Sequence, residues 1–318
     1  MVLPIMRGYS TSNAGTAALR ENSFQAMRSF FALPYERKQQ RFCPLHEEQG
    51  YRHLGFKESY VYCGGPLPSE LRPVLPLVQR LHQVALSHLS QIEQQLQLQA
   101  SALTQLAERE WSEETRCTSV LRLLKYDPQQ QQLPCDPHED LGLLSIVLKS
   151  TSPALEVLDT SSFAWSNVEH GLSDSEVIFL VGASLARLTQ TGTPGASKLD
   201  ACVHRVVDGS QNASTLRPHF IMVSLALLVG GLAIAFFATA ALGVLLIIAG
   251  GATWMFTRHP GVEPRYSIVY QLRIRDDAQV NSRDFTTPIL PQLVAFELSG
   301  RDFLAQLREG RASVNGTY

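Results

Sequence analysis

The apolar positions of the first 115 residues follow helical spacing. One group repeats at intervals of three and four and predicts a helix within residues 15–40 that stops at Pro34. This group comprises Phe24, Met27, Phe30 and Phe31. A longer apolar stripe, with glutamines on the opposite, solvated face, predicts an amphipathic helix. The stripe comprises Leu75, Val78, Leu81, Ala85, Leu89, Ile92 and Leu96. Between the two helices, the glycine-containing residues 41–70 are predicted to form loops.

From about residue 117 the pattern changes to short runs rich in β-branched and apolar residues, separated by Pro, Gly, Asp and Ser. Six runs are predicted to be strands: TSVLRLLKY, DLGLLSIVLKS, PALEVLD, SEVIFLVG, CVHRVVD and RYSIVYQLRIR. Consecutive short strands indicate a sandwich or a barrel, and helices followed by strands indicate the α+β class. Residues 299–311 are predicted to form a short capped helix.

A different pattern interrupts these strands. Between His219 and Arg258 the chain has 38 residues without a charged side chain, whereas a membrane-spanning helix needs about 20 apolar residues. Residues 220–257 are therefore predicted to enter a membrane. The competing interpretations are a translated intron and a mispredicted exon. Arg217 and Arg258 flank the run, which favours a cytoplasmic location for both of its ends.

The composition narrows the function only a little. The formal net charge of −2 over 318 residues gives no sign of nucleic-acid binding. The five cysteines include no CxxC pair, which argues against a zinc ribbon or a thioredoxin-like site. Free thiols in a reducing compartment are expected instead.

One motif is typical of a metal site. His138 and Asp140 follow Pro137 in what is predicted to be the start of a strand, and residues i and i+2 of a strand share a face. His204 lies in another strand-like run. Two histidines and one carboxylate form the facial triad with which non-haem Fe(II) oxygenases bind their metal. An isolated H-x-D is a weak signal, and the other histidines are assigned to surface or core: His46, His53, His82, His88, His170, His219 and His259.

Eight segments, in order along the chain, resemble the 2-oxoglutarate- and Fe(II)-dependent dioxygenases of the isopenicillin-N-synthase-like group. They cover about residues 23–209 and resume at about 262. The segments are SFFALPYERKQQ, GYRHLGFKESY, LLKYDP, PHEDLGLLSIV, ALEVLD with Trp165, VGASLARLTQTG, VHRVV and RYS. The chain departs from the family pattern at Leu124, where asparagine is usual, at Ala183, where aspartate is usual, and at Ser145, where threonine is usual.

The resemblance implies a double-stranded β-helix (jelly-roll) core and a set of site residues. The residues implied to bind Fe(II) are His138, Asp140 and His204. Arg265 is implied to pair bidentately with the distal carboxylate of 2-oxoglutarate, and Ser267 and Tyr126 to hydrogen-bond it. The implied cofactors are Fe(II), 2-oxoglutarate as co-substrate and O₂, with ascorbate as a further candidate. The implied reaction hydroxylates or desaturates a small organic molecule.

The predicted fold is therefore α+β, with N-terminal helices, a jelly-roll core and an inserted transmembrane or re-entrant helical segment. Four regions are expected: a helical N-terminal region over 1–115 that lacks the first strand and helix usual in the family, the oxygenase domain over 116–209 and 258–298, the apolar membrane insertion over 210–257, and a C-terminal helix and tail over 299–318.

Two hypotheses follow for the whole protein. The first is a membrane-tethered oxygenase with a cytoplasmic catalytic domain, or a cytoplasmic enzyme if the insert is a gene-model artefact. Because His204 and Arg265 would serve one site, the insert is expected to enter and leave by one membrane face, as a hairpin that favours homo-oligomers. The second is a non-catalytic membrane or scaffold protein on a decayed oxygenase fold. The substrate cannot be predicted from sequence.

Overall fold

The computed structural model describes residues 9–41, 49–55, 57–127, 135–190, 199–207, 263–287, 290 and 296–315. The α-helices within these ranges are α1 (Ala17–Phe31), α2 (Tyr35–Gln39), α3 (Leu75–Gln95), α4 (Ala183–Leu188) and α5 (Gly300–Asn315). The strands are β1 (Tyr9–Asn13), β2 (Gly50–Leu54), β3 (Lys57–Tyr62), β4 (Val120–Tyr126), β5 (Cys135–His138), β6 (Leu144–Leu148), β7 (Leu155–Asp159), β8 (Ala164–Asn167), β9 (Glu176–Val181), β10 (His204–Val206), β11 (Arg265–Leu272), β12 (Gln279–Asn281) and β13 (Glu297–Ser299).

The strands form two main antiparallel sheets. The larger sheet has seven strands in the order β1-β9-β6-β11-β4-β3-β2, and the smaller has four in the order β5-β10-β7-β8. A separate pair, β12 and β13, lies near α5. Neighbours in the larger sheet are mostly distant in sequence, so the fold depends on long-range pairing between antiparallel strands.

Alternation of side chains gives the larger sheet two different faces. In β11, Ile268, Tyr270 and Leu272 are buried in the core that the sheet shares with helices α1 and α3. The intervening residues of the same strand, Arg265 and Gln271 among them, line a cavity on the face toward the smaller sheet. The same alternation in the neighbouring strands makes one face of the sheet a helix-packing surface and the other a cavity wall.

The helical predictions are confirmed in the main. The apolar stripe of α3 is buried and its glutamines are exposed. The predicted helix over 15–40 is divided at Pro34 into α1 and α2. Helix α5 begins after Ser299, whose hydroxyl oxygen accepts a hydrogen bond from the Asp302 backbone N–H at 3.1 Å, as a capping serine does.

The prediction of loops over residues 41–70 is wrong for the segments Gly50–Leu54 and Lys57–Tyr62. Strands β2 and β3 form a hairpin there, in which Tyr51 lies opposite Tyr60. Gly55 has a φ of +62°, a backbone conformation that glycine adopts readily, and it lies in the turn of this hairpin. The region 1–115 is not only helical, because β1, β2 and β3 all belong to the larger sheet.

The apolar residues 220–257 lie outside the described residues, and their predicted membrane insertion stays a prediction. Among the helices that the structure describes, none combines the length and the apolarity needed to cross a bilayer. The longest of them, α3, has a polar face that the bilayer core would not solvate.

Candidate active site

The two sheets enclose a cavity of about 500 Å³ that contains the predicted metal ligands. His138 ends β5 and His204 begins β10, and these residues lie directly opposite each other in the smaller sheet. Their ring centroids are 4.3 Å apart. Asp140 lies in the connection that leads to β6, and one ligand atom from each of the three residues lies within 4.8 Å of the others.

The expectation that one strand carries both His138 and Asp140 is wrong. Strand β5 ends at His138 and the next strand begins only at Leu144. The two side chains nevertheless approach each other, with His138 Nε2 at 3.8 Å from Asp140 Oδ1. His204 Nε2 is also 3.8 Å from Asp140, at Oδ2. His138 at the end of β5 and Asp140 in the following loop are therefore close together, although they do not lie on one strand as predicted.

Backbone carbonyls fix the orientation of both imidazoles. His204 Nδ1 lies 3.0 Å from the carbonyl oxygen of Cys202, and His138 Nδ1 lies 2.8 Å from that of Asp136. Because a carbonyl only accepts hydrogen bonds, each Nδ1 must be the protonated donor. The lone pair of a neutral ring is then on Nε2, the nitrogen that faces Asp140 in both residues.

Two neutral side chains hold the Asp140 carboxylate from behind. The Ser145 hydroxyl donates to Oδ2 at 2.5 Å, and the Gln271 amide donates to Oδ1 at 2.6 Å. The Gln271 amide oxygen in turn accepts a hydrogen bond from Arg273 Nη2 at 2.8 Å. This buried chain of hydrogen bonds restricts the carboxylate to one orientation, as the supporting partners of metal ligands do.

The pKa values of Asp140, His204 and His138 are shifted in different directions. Burial alone would raise the pKa of Asp140, but the adjacent His204 and His138 lower it, so the group is a carboxylate. Burial lowers the pKa of His204 and keeps that ring neutral. Burial also disfavours charge on His138, yet contact with Cys135 and the charge of Asp140 raise the pKa of His138 to about 9. A metal ion at this site would have to displace the His138 proton.

Arg265 lies on the cavity wall and is only 8% exposed. Its Nε donates to the Ser152 carbonyl oxygen at 2.9 Å, and its Nη2 donates to Glu169 Oε2 at 3.3 Å. Its Nη1 is buried and has no hydrogen-bond partner among the described residues. One nitrogen of the guanidinium therefore remains available to an anion, where the sequence led us to expect two.

Glu169 is fully buried behind Arg265. Its carboxylate accepts backbone N–H groups of Ser150, Ala154 and Leu155 at 2.6–2.9 Å. Burial alone would raise the pKa of Glu169, but Arg265 and these donors lower it, so the residue is an anion paired with the guanidinium.

Ser267 and Tyr126 also line the cavity beside Arg265. Tyr126 lies opposite Arg265 across the β4–β11 pair, with the guanidinium carbon 5.1 Å from the centre of its ring. Burial raises the pKa of Tyr126, so its hydroxyl keeps its proton and can donate. Ser267 follows two residues after Arg265 on the same face of β11.

The donor set fits a ferrous ion. Two imidazoles and one carboxylate, oriented by hydrogen bonds and close enough to share one atom, match the ligand type of non-haem iron sites. Of the other histidines within the described residues, His82 and His88 are buried in the core, whereas His53 and His170 are exposed.

Sequence reasoning missed Gln271 and Glu169. The signal for Gln271 was present, since it lies on the same face of β11 as Arg265 and Ser267 at a spacing of two residues per step. Glu169 had no local signal, because it follows β8 in a loop and meets Arg265 from 96 positions away in the sequence.

The fold is that of the 2-oxoglutarate/Fe(II)-dependent oxygenase structures. A protein of Caulobacter crescentus assigned to the 2OG-Fe(II) oxygenase family superposes with a TM-score of 0.64 at 20% identity, over 96% of this chain and 91% of that one. A full-length Neurospora crassa protein, solved in complex with alpha-KG, gives 0.61 at 16% identity over 95% and 86% of the two chains. The rice dioxygenase for auxin oxidation gives 0.61 at 17% identity over 96% and 86%.

Sequence comparison adds a shorter match. Clavatol oxidase of Penicillium crustosum is 34% identical over 95 residues, which cover 28% of this chain. The match spans about a quarter of that relative's length, 26%. No protein-family model matches the chain.

Proposed function

We propose that this protein is an Fe(II)- and 2-oxoglutarate-dependent oxygenase that hydroxylates or desaturates a small organic substrate. The observation that carries the proposal is the convergence of His138, Asp140 and His204 in one cavity, with ligand atoms within 4.8 Å of one another. A partnerless guanidinium nitrogen of Arg265, among the described residues, lines the same cavity. The two antiparallel sheets on either side of it support a jelly-roll core.

The side chains of this protein would bind, orient and shield the reactants. His138, Asp140 and His204 would hold the ferrous ion on one side. When bound, a ferrous ion would bind the keto acid and O₂ and supply the redox chemistry. Arg265 Nη1 would donate to the distal carboxylate of 2-oxoglutarate, with Ser267 as a second donor. Apolar residues of both sheets, including Val147 and Leu155, would limit water at the reacting atoms.

The intact and oriented ligand set favours this function over a non-catalytic scaffold on the same fold. A scaffold has no need for two imidazoles oriented by backbone carbonyls or for a carboxylate held by Ser145 and Gln271. Leu124, where asparagine is usual in the family, lines the cavity opposite Ser267 and is not one of the three proposed metal ligands.

The direct test of activity is the conversion of 2-oxoglutarate to succinate by purified protein with Fe(II), O₂ and ascorbate. We expect slow turnover without a substrate, since the co-substrate chemistry needs only the metal and Arg265. The matched control is His138→Ala, which should abolish succinate formation while the protein stays folded. Equal succinate formation by this variant would refute the proposed metal site.

We further propose that residues 220–257 attach the enzyme to a membrane. The absence of charge over 38 residues supports this. Because His204 and Arg265 line one cavity, the segment between them would have to enter and leave the bilayer on the same side. Fractionation of cells that express the full chain tests this: recovery in the membrane pellet after an alkaline carbonate wash is expected, and recovery in the supernatant would contradict it.

A further inference from the structure

The protein itself already supplies a counter-ion for Arg265. The guanidinium Nη2 lies 3.3 Å from Glu169 Oε2, and Glu169 is fully buried. The pair therefore has no net charge, although Nη1 can still donate a hydrogen bond to a ligand. The distal carboxylate of 2-oxoglutarate would be a second anion beside this one cation. Because a charge in a partly desolvated site is costly without an opposite charge nearby, a further cation is expected close to Arg265.

Lys57 is a cation of the same cavity without an acidic partner. It is half-buried and belongs to the cavity lining. Among the described residues no carboxylate pairs with its ammonium, which lies 6.0 Å from the centre of the Tyr126 ring. The neighbouring Glu58 points to the other face of the sheet, where it accepts a hydrogen bond from Lys125 at 2.6 Å. The charge of Lys57 is therefore not neutralised by the described part of the chain.

The strand register places Lys57 in one row with two residues of the proposed keto-acid site. Lys57 lies opposite Tyr126, and Tyr126 lies opposite Arg265, on the consecutive strands β3, β4 and β11. The Arg265 guanidinium carbon is 5.1 Å from the centre of the Tyr126 ring. Two cations thus approach one buried aromatic ring from the strands on either side of it, at distances at which a cation is attracted to a ring.

We propose that Lys57 is a positioning residue for 2-oxoglutarate. Its ammonium holds the Tyr126 ring from the side of β3, so that the hydroxyl keeps one orientation toward the distal carboxylate. It also supplies the net positive charge that the pair of Arg265 and Glu169 lacks, and a half-buried charge is screened less than a surface charge. This inference rests on the proposed function, because it assumes that 2-oxoglutarate binds in this cavity.

This role differs from the roles of the residues that the family resemblance implied. Arg265, Ser267 and Tyr126 would donate hydrogen bonds to the co-substrate directly. Lys57 would act across the Tyr126 ring, through its charge and through the position of that ring. Its removal should therefore affect keto acids that carry a distal carboxylate and leave unaffected those that carry none.

The test compares two keto acids on the same protein. Anaerobic protein loaded with Fe(II) is titrated with 2-oxoglutarate and with 2-oxopentanoate, which has the same chain length but ends in a methyl group. Both compounds present the same keto acid group to the metal, so the difference between their affinities isolates the distal carboxylate. Calorimetry gives the dissociation constants, and the absence of O₂ prevents turnover.

The variant Lys57→Met should bind 2-oxoglutarate about tenfold more weakly than the wild type and should bind 2-oxopentanoate equally well. Lys57→Gln is a second neutral variant for which we expect the same result. Lys57→Arg keeps the charge and can stack on an aromatic ring, so it should bind 2-oxoglutarate nearly as well as the wild type. The control Arg301→Met removes an exposed cation of α5 and should change neither affinity. Thermal unfolding verifies that each variant is folded.

Three results would overturn the inference. The first is an unchanged affinity of the neutral variants for 2-oxoglutarate. The second is an equal loss of affinity for both keto acids, which would indicate a purely structural role. The third is a loss in Lys57→Arg as large as that in Lys57→Met. If the wild type binds Fe(II) and 2-oxoglutarate but these comparisons fail, only the role of Lys57 is wrong. If the wild type binds neither, the proposed function fails, and this inference fails with it.

Discussion

Arg265 and Glu169 form a buried ion pair at the wall of the cavity, with Nη2 3.3 Å from Oε2 and the carboxylate fully enclosed. The nitrogens of the guanidinium have different surroundings. Nε and Nη2 are held by protein groups, whereas Nη1 has no partner among the described residues. A cation held in this way is pre-organised for one anionic ligand, and its position does not depend on that ligand.

The variant Glu169→Gln should destabilise the protein and change its response to 2-oxoglutarate. Removing one member of a buried ion pair costs about 3–5 kcal/mol, because the remaining charge is uncompensated. The co-substrate carboxylate would then be the main counter-ion of Arg265. Urea unfolding should therefore show a larger stabilisation by 2-oxoglutarate in the variant than in the wild type. The exposed Glu21→Gln serves as control, and a smaller stabilisation in Glu169→Gln would contradict this role.

Arg265→Lys should weaken 2-oxoglutarate binding while leaving metal binding intact. Lysine keeps the charge but cannot simultaneously reach Ser152, Glu169 and a ligand, because it has one nitrogen where arginine has a planar fork. We expect a loss of about tenfold in co-substrate affinity, equivalent to the one charge-assisted hydrogen bond that Arg265 Nη1 would donate. Calorimetric titration of the Fe(II) form with 2-oxoglutarate measures it; an unchanged dissociation constant would show that the co-substrate binds elsewhere.

Gln271→Leu tests the support of Asp140, the carboxylate proposed to bind the metal. The substitution removes the amide that donates to Asp140 at 2.6 Å, so the carboxylate gains freedom and loses a stabilising partner. Loss of such supporting partners weakens metal binding by about 10–100-fold. Competition with a chromophoric chelator measures the Fe(II) affinity, and Gln279→Leu on the exposed part of β12 provides the control. Equal affinities in both variants would remove Gln271 from the site.

Glu58 should make the stability of the β2–β3 hairpin pH-dependent. It receives hydrogen bonds from Lys125 at 2.6 Å, from Tyr51 at 2.7 Å and from Lys38. Burial alone would raise the pKa of Glu58, but these partners lower it below the ordinary value of 4.5. The stabilisation is therefore complete above about pH 4.5 and is lost as the pH falls through the lowered pKa.

Comparison of wild type with Glu58→Gln isolates this contribution. At pH 7 the variant should be less stable by about 2 kcal/mol, as expected for lost hydrogen bonds to a charged group. The difference should shrink as the pH falls from 4.5 through the lowered pKa, because Glu58 is protonated first in the unfolded protein and then in the folded one. Urea unfolding at pH 7 and near pH 3 measures both values. A difference that stays constant over this range would mean that the charge of Glu58 contributes nothing.

Much of the fold could be predicted from local periodicity. The stripe of α3 is determined by the face that must be buried. The runs of β4, β6, β9 and β11 could be recognised by their β-branched and apolar residues between turn residues. The hairpin of β2 and β3 was missed because Gly50 and Gly55 suggested a loop, although the segment from Lys57 to Tyr62 becomes a strand through pairing with β4. Such pairing is a long-range property that the composition of the segment does not reveal.

Some residues of the candidate site could likewise be predicted from the sequence, and others could not. The metal-ligand residues could be proposed because their types are restricted by chemistry and their order along the chain resembles a known group. The prediction that Asp140 lies in a strand is wrong because β5 and β6 belong to different sheets. The chain between them crosses from one sheet to the other, and Asp140 lies in this connection. The pairing of Glu169 with Arg265 depends on tertiary structure alone.

The most direct test of the central claim is an anaerobic titration of the metal-free protein with Fe(II) in the presence of 2-oxoglutarate, followed by visible absorption. We predict a metal-to-ligand charge-transfer band that saturates at one iron per chain and is absent from folded His138→Ala and His204→Ala proteins. A folded wild-type protein that develops no such band would contradict the account, and so would variants whose band equals that of the wild type.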